Sequence, residues 1–180
     1  RAVRAGGLEV ALLRRLGRKH EAQARLRHWL DEDPASSLLR HEGILLGGSD
    51  PSLWAHLASD PERVLGVAVD YMAIGLWDDA RALLSRSYDA AGTASEPGAV
   101  LPQDYPLVAY YRGYCEERLG RSGRADFALA SRQSTRYVFP NRPESMAVLR
   151  RALEADPSDA TAHFLLGSLF LSGGRTDDAL

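Results

Sequence analysis

The stretch Tyr-Val-Phe-Pro-Asn-Arg, residues 137–142, holds the most distinctive set of binding groups in the sequence. The rings of Tyr137 and Phe139 can stack on a ligand, and the side chains of Asn141 and Arg142 can donate hydrogen bonds to it. The prolines within and just after this stretch prevent a helix from continuing and favour extended backbone before them. Two interpretations are open: a shaped connection whose two rings pack over the core, or an inserted loop that contacts a ligand.

A group of tyrosines forms a second candidate. Tyr110 and Tyr114 are four residues apart, so they share one face of a helix, and Glu117 lies nearly one turn further on. Tyr111 lies on a different face. Aromatic side chains on an open surface are typical anchors for a peptide or a sugar ring. The alternative is that these tyrosines pack between neighbouring helices.

The N-terminal arginines form a third candidate. Arg14 and Arg15 belong to a run of basic residues that is balanced by nearby acidic ones, and this balance is typical of a solvated helix face. An acidic tail of a partner is the other possible contact for Arg14 and Arg15.

Catalytic and metal-binding chemistry has little support in the sequence. The five histidines show no metal-ligand spacing, and the single cysteine, Cys115, excludes an intramolecular disulfide and is expected to pack as a small apolar group. No Gly-rich phosphate loop and no Ser-His-Asp order stand out. We therefore predict no enzymatic activity, no cofactor and no metal for this chain.

Composition narrows the class of protein further. The chain has 180 residues, 45% of them hydrophobic and 26% charged, which fits one globular domain or one repeat array over residues 1–180. A formal charge of −2 predicts no nucleic-acid partner, and no apolar run approaches the roughly 20 residues that span a bilayer. We expect a cytoplasmic protein. The missing initial methionine and the C-terminus inside a helical pattern predict a piece of a longer chain.

Apolar residues recur at three- and four-residue steps, so nearly every periodic stretch predicts a helix. The helices come in pairs joined by short turns, and each is too short to be stable alone. The pattern therefore predicts an all-α, right-handed solenoid of nine or ten helices. Two segments interrupt it: a Gly- and Pro-rich insert at 91–105 and the aromatic insert at 136–143.

Small residues mark the pairs at matching positions. Glycines suited to left-handed helix ends are Gly17, Gly75, Gly120 and Gly174, and small residues suited to close helix contacts are Ala22, Ala80, Gly113, Ala125, Gly167 and Ala179. His163 falls on a predicted core position. Together these marks resemble the tetratricopeptide repeat, in degenerate form, over about four hairpins.

The resemblance implies a protein-interaction or scaffold domain whose partner, a protein or peptide segment, binds in an inner groove. It also implies that Tyr110, Tyr114 and Glu117, and the pair Arg14 and Arg15, face that groove.

A narrower resemblance rests on the order of three stretches, above all on Phe-Pro-Asn-Arg at 139–142 followed by Glu144. It is to the C-terminal helical region of large bacterial proteins in which a mutarotase-like β-sandwich precedes tetratricopeptide repeats. This resemblance implies an alternative function. The chain would be an accessory domain whose Tyr137, Phe139 and Arg142 help to shape the glycan site of an upstream enzyme.

Overall fold

The computed structural model describes residues 2–89 and 100–174, and within these ranges the chain is all-helical, as predicted, with no β-strand. The ten α-helices are α1 (Ala2–Arg15), α2 (Lys19–Glu32), α3 (Ser37–Leu45), α4 (Pro51–Ala58), α5 (Pro61–Ala73), α6 (Trp77–Leu84), α7 (Pro106–Arg118), α8 (Arg124–Ala130), α9 (Glu144–Ala155) and α10 (Ala160–Ser172). Pro102–Asp104 forms a short 3₁₀ helix. Extensive contacts join α1 to α2, α5 to α6, α7 to α8 and α9 to α10 as helical hairpins, and an equally extensive contact between α6 and α7 stacks two of these hairpins.

The predicted glycines follow α1, α5, α7 and α10 in the left-handed conformation. Gly17, Gly75, Gly120 and Gly174 have φ values of 74°, 75°, 75° and 72°. After α1, α5 and α7, the N–H group three residues past the helix bonds back to a carbonyl of the last turn, for example Arg18 to Leu13 at 2.9 Å. Such a bond pattern satisfies carbonyls that the helix end leaves free, and a residue with a Cβ would be strained at the glycine position.

The pair formed by α3 and α4 was not predicted, because both helices are short. Local signals for it are nevertheless present. Gly47 has φ 103° after α3, and the Asp50 carboxylate caps α4 by accepting from the Leu53 N–H at 3.0 Å. Pro51 occupies the first position of α4, where its missing N–H costs nothing.

The predicted close-contact positions are confirmed in two hairpins and corrected in the third. Ala22 and Ala80 are fully buried, but Ala125 is exposed. The reason is that α8 begins four residues after its turn glycine, whereas α2 and α6 begin two residues after theirs. This longer turn brings Phe127 to the buried position, and Gly113 on α7 makes room for its ring, since a Cβ there would lie 2.6 Å from Phe127 Cε1.

The main core runs through the stack from Ala11 on α1 to Leu165 on α10. His163 is a correction: it is exposed, and its Nε2 atom lies 3.0 Å from the Pro157 carbonyl oxygen. Residues 136–143 form a non-helical connection between α8 and α9. Residues 91–99 of the other insert, and Ala179, lie outside the described residues.

Candidate functional site

A groove of about 820 Å³ opens on one side of the helical stack. Its walls come from the first turn of α1, the connection between α2 and α3, one face of α5, and residues 141–144 at the start of α9. We call this site the α5 groove. The α5 wall stands on a helix whose opposite face is buried in the core, for example at Val64 and Ala68.

One line of α5 residues runs along the groove. Glu62, Gly66 and Asp70 follow each other at four-residue steps and therefore lie on one face of the helix. Gly66 carries no side chain, and a Cβ built there would meet only the Arg142 guanidinium, at 3.5 Å. At Gly66 the groove therefore has helix backbone with no side chain of its own, beside the Arg142 guanidinium and with a carboxylate one turn away on each side.

Two ion pairs connect this line to distant parts of the chain. Arg4 Nε on α1 donates to Asp70 Oδ1 at 2.5 Å. Arg142 Nε donates to Glu62 Oε2 at 3.1 Å, and its Nη2 donates to the Glu62 carbonyl oxygen at 2.9 Å. These contacts tie the first helix and the aromatic insert to the same face of α5.

The carboxyl group of Asp70 is in an unfavourable environment for its charge. Burial raises its pKa above the ordinary value, the ion pair with Arg4 opposes that rise, and the nearby charge of Glu144 adds to it. Asp70 also lies in the last turn of α5, where the helix dipole disfavours a negative charge.

The aromatic insert presents its residues alternately to the core and to solvent. Val138 and Pro140 are buried, whereas Tyr137 is 58% exposed and Phe139 is 72% exposed. Tyr137 has φ 62°, and the Arg136 guanidinium lies 4.9 Å from the centre of its ring. The interpretation that Tyr137 and Phe139 pack over the core is thus wrong, because Val138 and Pro140 are buried there instead.

Of the four predicted insert residues, the structure places two, Asn141 and Arg142, in the lining of the α5 groove. Asn141 is exposed and lines the α5 groove together with Arg142. The guanidinium of Arg142 is already bound to Glu62, so Arg142 holds the insert against α5. Phe139 lies two residues before Asn141 in the sequence, and its ring is exposed.

The expected groove position of Tyr110 is corrected by its burial. Its side chain is fully buried, and its hydroxyl donates to Asp159 Oδ2 at 2.7 Å. Tyr111, on the other face of α7, is also fully buried and shares a 2.8 Å hydrogen bond with the Ser145 hydroxyl. Both tyrosines join α7 to the last hairpin. The sequence pattern did not predict this, because α7 packs against helices on two sides and the pattern indicates only one buried face.

Tyr114 and Glu117 share a separate depression of about 490 Å³ with Arg151. The Tyr114 ring meets Trp77 edge-on, with centroids 6.1 Å apart. Both carboxylate oxygens of Glu117 bind the Arg151 guanidinium, one of them to Nη2 at 3.0 Å. These two predicted residues do lie together on the surface, but they do not line the α5 groove.

The expectation that Arg14 is offered to a partner is also corrected. Its side chain is only 14% exposed, and the guanidinium binds both oxygens of Glu42, at 2.7 and 2.9 Å, and Asp79 at 2.9 Å. Glu42 is fully buried and also accepts from the Tyr71 hydroxyl at 2.7 Å. Arg15 is half-exposed, and its nearest carboxylates lie 3.8 and 3.9 Å away.

Metal and redox chemistry find no further support. In residues 2–89 and 100–174, no three His, Cys, Asp or Glu side chains come together as metal ligands would. Burial raises the pKa of the Cys115 thiol to about 12, which keeps the thiol protonated and unreactive. None of the described helices is both long and apolar enough to cross a bilayer.

The sequence did not nominate Arg4, Glu62, Gly66 or Asp70 as groove residues. The four-residue spacing of the last three was a visible signal, but only the arrangement of neighbouring helices shows that this face of α5 stays uncovered.

Comparison with known proteins supports the repeat assignment for the C-terminal part of the chain. Residues 141–180 match the model of the tetratricopeptide repeat family. No curated protein matches the chain. A solved structure described as "MamA MSR-1 C2" aligns over 99% of this chain and 88% of its own, with 18% identity and a TM-score of 0.27, which is too low to support an argument about fold or function. The chain is thus an all-helical stack of hairpins whose C-terminal residues are similar to tetratricopeptide repeats.

Proposed function

We propose that this chain is a protein-interaction domain that holds an extended segment of a partner polypeptide in the α5 groove. The observation that carries the proposal is the open groove of about 820 Å³ with bare helix backbone at Gly66. The similarity of residues 141–180 to tetratricopeptide repeats supports it, since solenoids of this kind use their concave surfaces for binding.

The groove offers the contacts that an extended segment needs. Exposed polar side chains, such as Asn141, can pair with the main chain of the segment, and the missing side chain at Gly66 leaves room for it beside Arg142. The exposed ring of Phe139, two residues from Asn141, is a suitable anchor for an apolar side chain of the same segment. We propose a binding role without catalysis.

The proposal is tested by filling the α5 groove with a large side chain. Gly66→Phe places a ring in the groove beside the Arg142 guanidinium, and the position has room for a Cβ because the nearest atom, Arg142 Nη2, is 3.5 Å away. Ala24→Phe, on the exposed side of α2, is the matched control. A displayed library of random peptides is selected on the unchanged chain, and the affinity of each selected peptide is measured by fluorescence anisotropy.

We expect Gly66→Phe to abolish binding of the selected peptides and Ala24→Phe to preserve it. Peptides that bind Gly66→Phe as well as the unchanged chain would contradict the proposal, and so would a selection that yields no binder.

A second candidate function is that of an accessory domain for a carbohydrate-active enzyme. The exposed rings of Tyr137 and Phe139 favour it, because aromatic faces stack on sugar rings. The upstream mutarotase-like domain on which it depends stays a prediction. Protection of residues 137–142 from hydrogen exchange by an added oligosaccharide, in the full-length protein, would support this function. Equal exchange with and without the oligosaccharide would contradict it.

A further inference from the structure

We propose that the α5 groove selects a cationic segment, and that an arginine or lysine of the partner binds between Asp33 and Asp70 in place of Arg4. This inference rests on the proposed function and adds the charge of the partner. Five carboxylates line the groove against three guanidinium groups. The lining therefore complements a positively charged segment.

The guanidinium groups of the groove are already occupied. Arg4 pairs with Asp70, Arg142 pairs with Glu62, and Arg63 lies 3.9 Å from Asp60. An acidic partner would have to break these pairs to gain a counter-ion. Within the described part of the chain, Asp33 and Glu144 form no ion pair, so carboxylates remain available to a cation.

Helix dipoles decide which end of the groove is negative. Asp60, Glu62 and Glu144 lie at the N-termini of α5 and α9, where their charges offset the positive end of each helix. Asp33 is the C-cap of α2 and Asp70 lies in the last turn of α5, so both add to a negative helix end. At Asp33 and Asp70, therefore, the helix dipole adds to the negative charge of the carboxylate instead of offsetting it.

Arg4 is the most readily displaced of the three arginines. Its side chain is 57% exposed, whereas that of Asp70 is 17% exposed. An exposed guanidinium regains its hydration when it swings out, so little is lost when a ligand cation replaces it. Arg142 makes two hydrogen bonds to Glu62 and is 29% exposed, so we expect it to stay in place.

The test uses three fluorescein-labelled Gly-Ser peptides. They differ at two positions, which are both arginine in the first peptide, both glutamine in the second and both glutamate in the third. We expect the arginine peptide to bind the unchanged chain at least about tenfold more tightly than the glutamate peptide, as one charge-assisted hydrogen bond allows. The difference should shrink at about 0.3 M salt, because salt screens exposed charges.

Variants locate the bound cation. Asp70→Asn and Asp33→Asn should each weaken binding of the arginine peptide severalfold, whereas Asp31→Asn, the same change on the outer side of α2, should leave it unaltered. Arg4→Ala should tighten binding, because it removes the competing guanidinium. Circular dichroism confirms that each variant is folded.

The outcomes separate this inference from the proposed function. Glutamine or glutamate peptides that bind as tightly as the arginine peptide, and that lose binding in Gly66→Phe, would overturn the charge preference and leave the groove as a binding site. An arginine peptide that is insensitive to Asp70→Asn, Asp33→Asn and Gly66→Phe alike would overturn both. Weaker binding to Arg4→Ala would contradict the replacement of Arg4.

Discussion

Replacing Arg14 by methionine should destabilise the protein strongly, because the substitution leaves a buried carboxylate without its cation. Glu42 has no exposed side-chain surface, and Arg14 binds both of its oxygens. After the substitution, only the Tyr71 hydroxyl remains as a side-chain donor to Glu42 in the described residues. Breaking a buried ion pair from one side costs about 3–5 kcal/mol.

Arg15→Met is the matched control, because it removes the same charge from the next position. Arg15 is 44% exposed and has no carboxylate within 3.8 Å, so its loss should cost less than about 1 kcal/mol. For a chain of this size, the difference between the two variants corresponds to about 10 °C in melting temperature.

The assay is thermal and urea unfolding, followed by circular dichroism and by tryptophan fluorescence. Trp54 reports on this region, since its ring centre lies 5.7 Å from that of His41, which in turn contacts Tyr71. Unfolding free energies of the two variants within about 0.5 kcal/mol of each other would refute the reasoning, because that is the spread of ordinary surface substitutions. The double variant Arg14→Met/Glu42→Leu should recover much of the loss, as removal of both charges leaves none buried alone.

Three further predictions concern pH and two glycines. Burial lowers the pKa of His41 to about 4, so between pH 6.5 and pH 4 the unfolded chain binds a proton at His41 and the folded chain does not. The free energy of unfolding should therefore decrease by about 3 kcal/mol as the pH is lowered through this window. The same pH dependence in His41→Asn would contradict this. Gly113→Ala should lower the free energy of unfolding, measured in urea, by about 1–3 kcal/mol, since the new Cβ would overlap Phe127. The double variant Gly113→Ala/Phe127→Leu should recover part of this loss. Gly66→Ala should instead stabilise the chain by up to about 1 kcal/mol in the same assay, because the helix gains alanine and nothing crowds the Cβ; a loss would contradict the open groove.

The turn glycines illustrate what can be predicted locally. A glycine after a helical pattern predicts a left-handed helix end from the chain itself, and all four predicted positions have positive φ. Ala125 illustrates the limit of such reasoning. The repeat pattern assigned it by counting residues, but two extra residues in the turn before α8 moved Phe127 to the buried position.

The candidate site could be predicted only in part. The sequence indicated candidate residues by the chemistry of their side chains. The chemistry of a side chain does not show whether a neighbouring helix covers the face on which it lies. Tyr110 is buried because the last hairpin supplies Asp159, 49 residues further along the chain. Asn141 and Arg142 reached the groove because the insert folds back onto α5, a contact across 80 residues between Arg142 and Glu62.

The sequence by itself determined the all-helical class and the left-handed turns at Gly17, Gly75, Gly120 and Gly174, because periodicity and glycine conformation act over a few residues. The tertiary structure decided which polar residues pair inside the stack and which face remains open. Arg14 is neutralised by Glu42 and Asp79, whereas Asp70 keeps only an exposed arginine. The physical reason is that burial and charge pairing depend on distances between helices, and these distances are set by the packing of the whole stack.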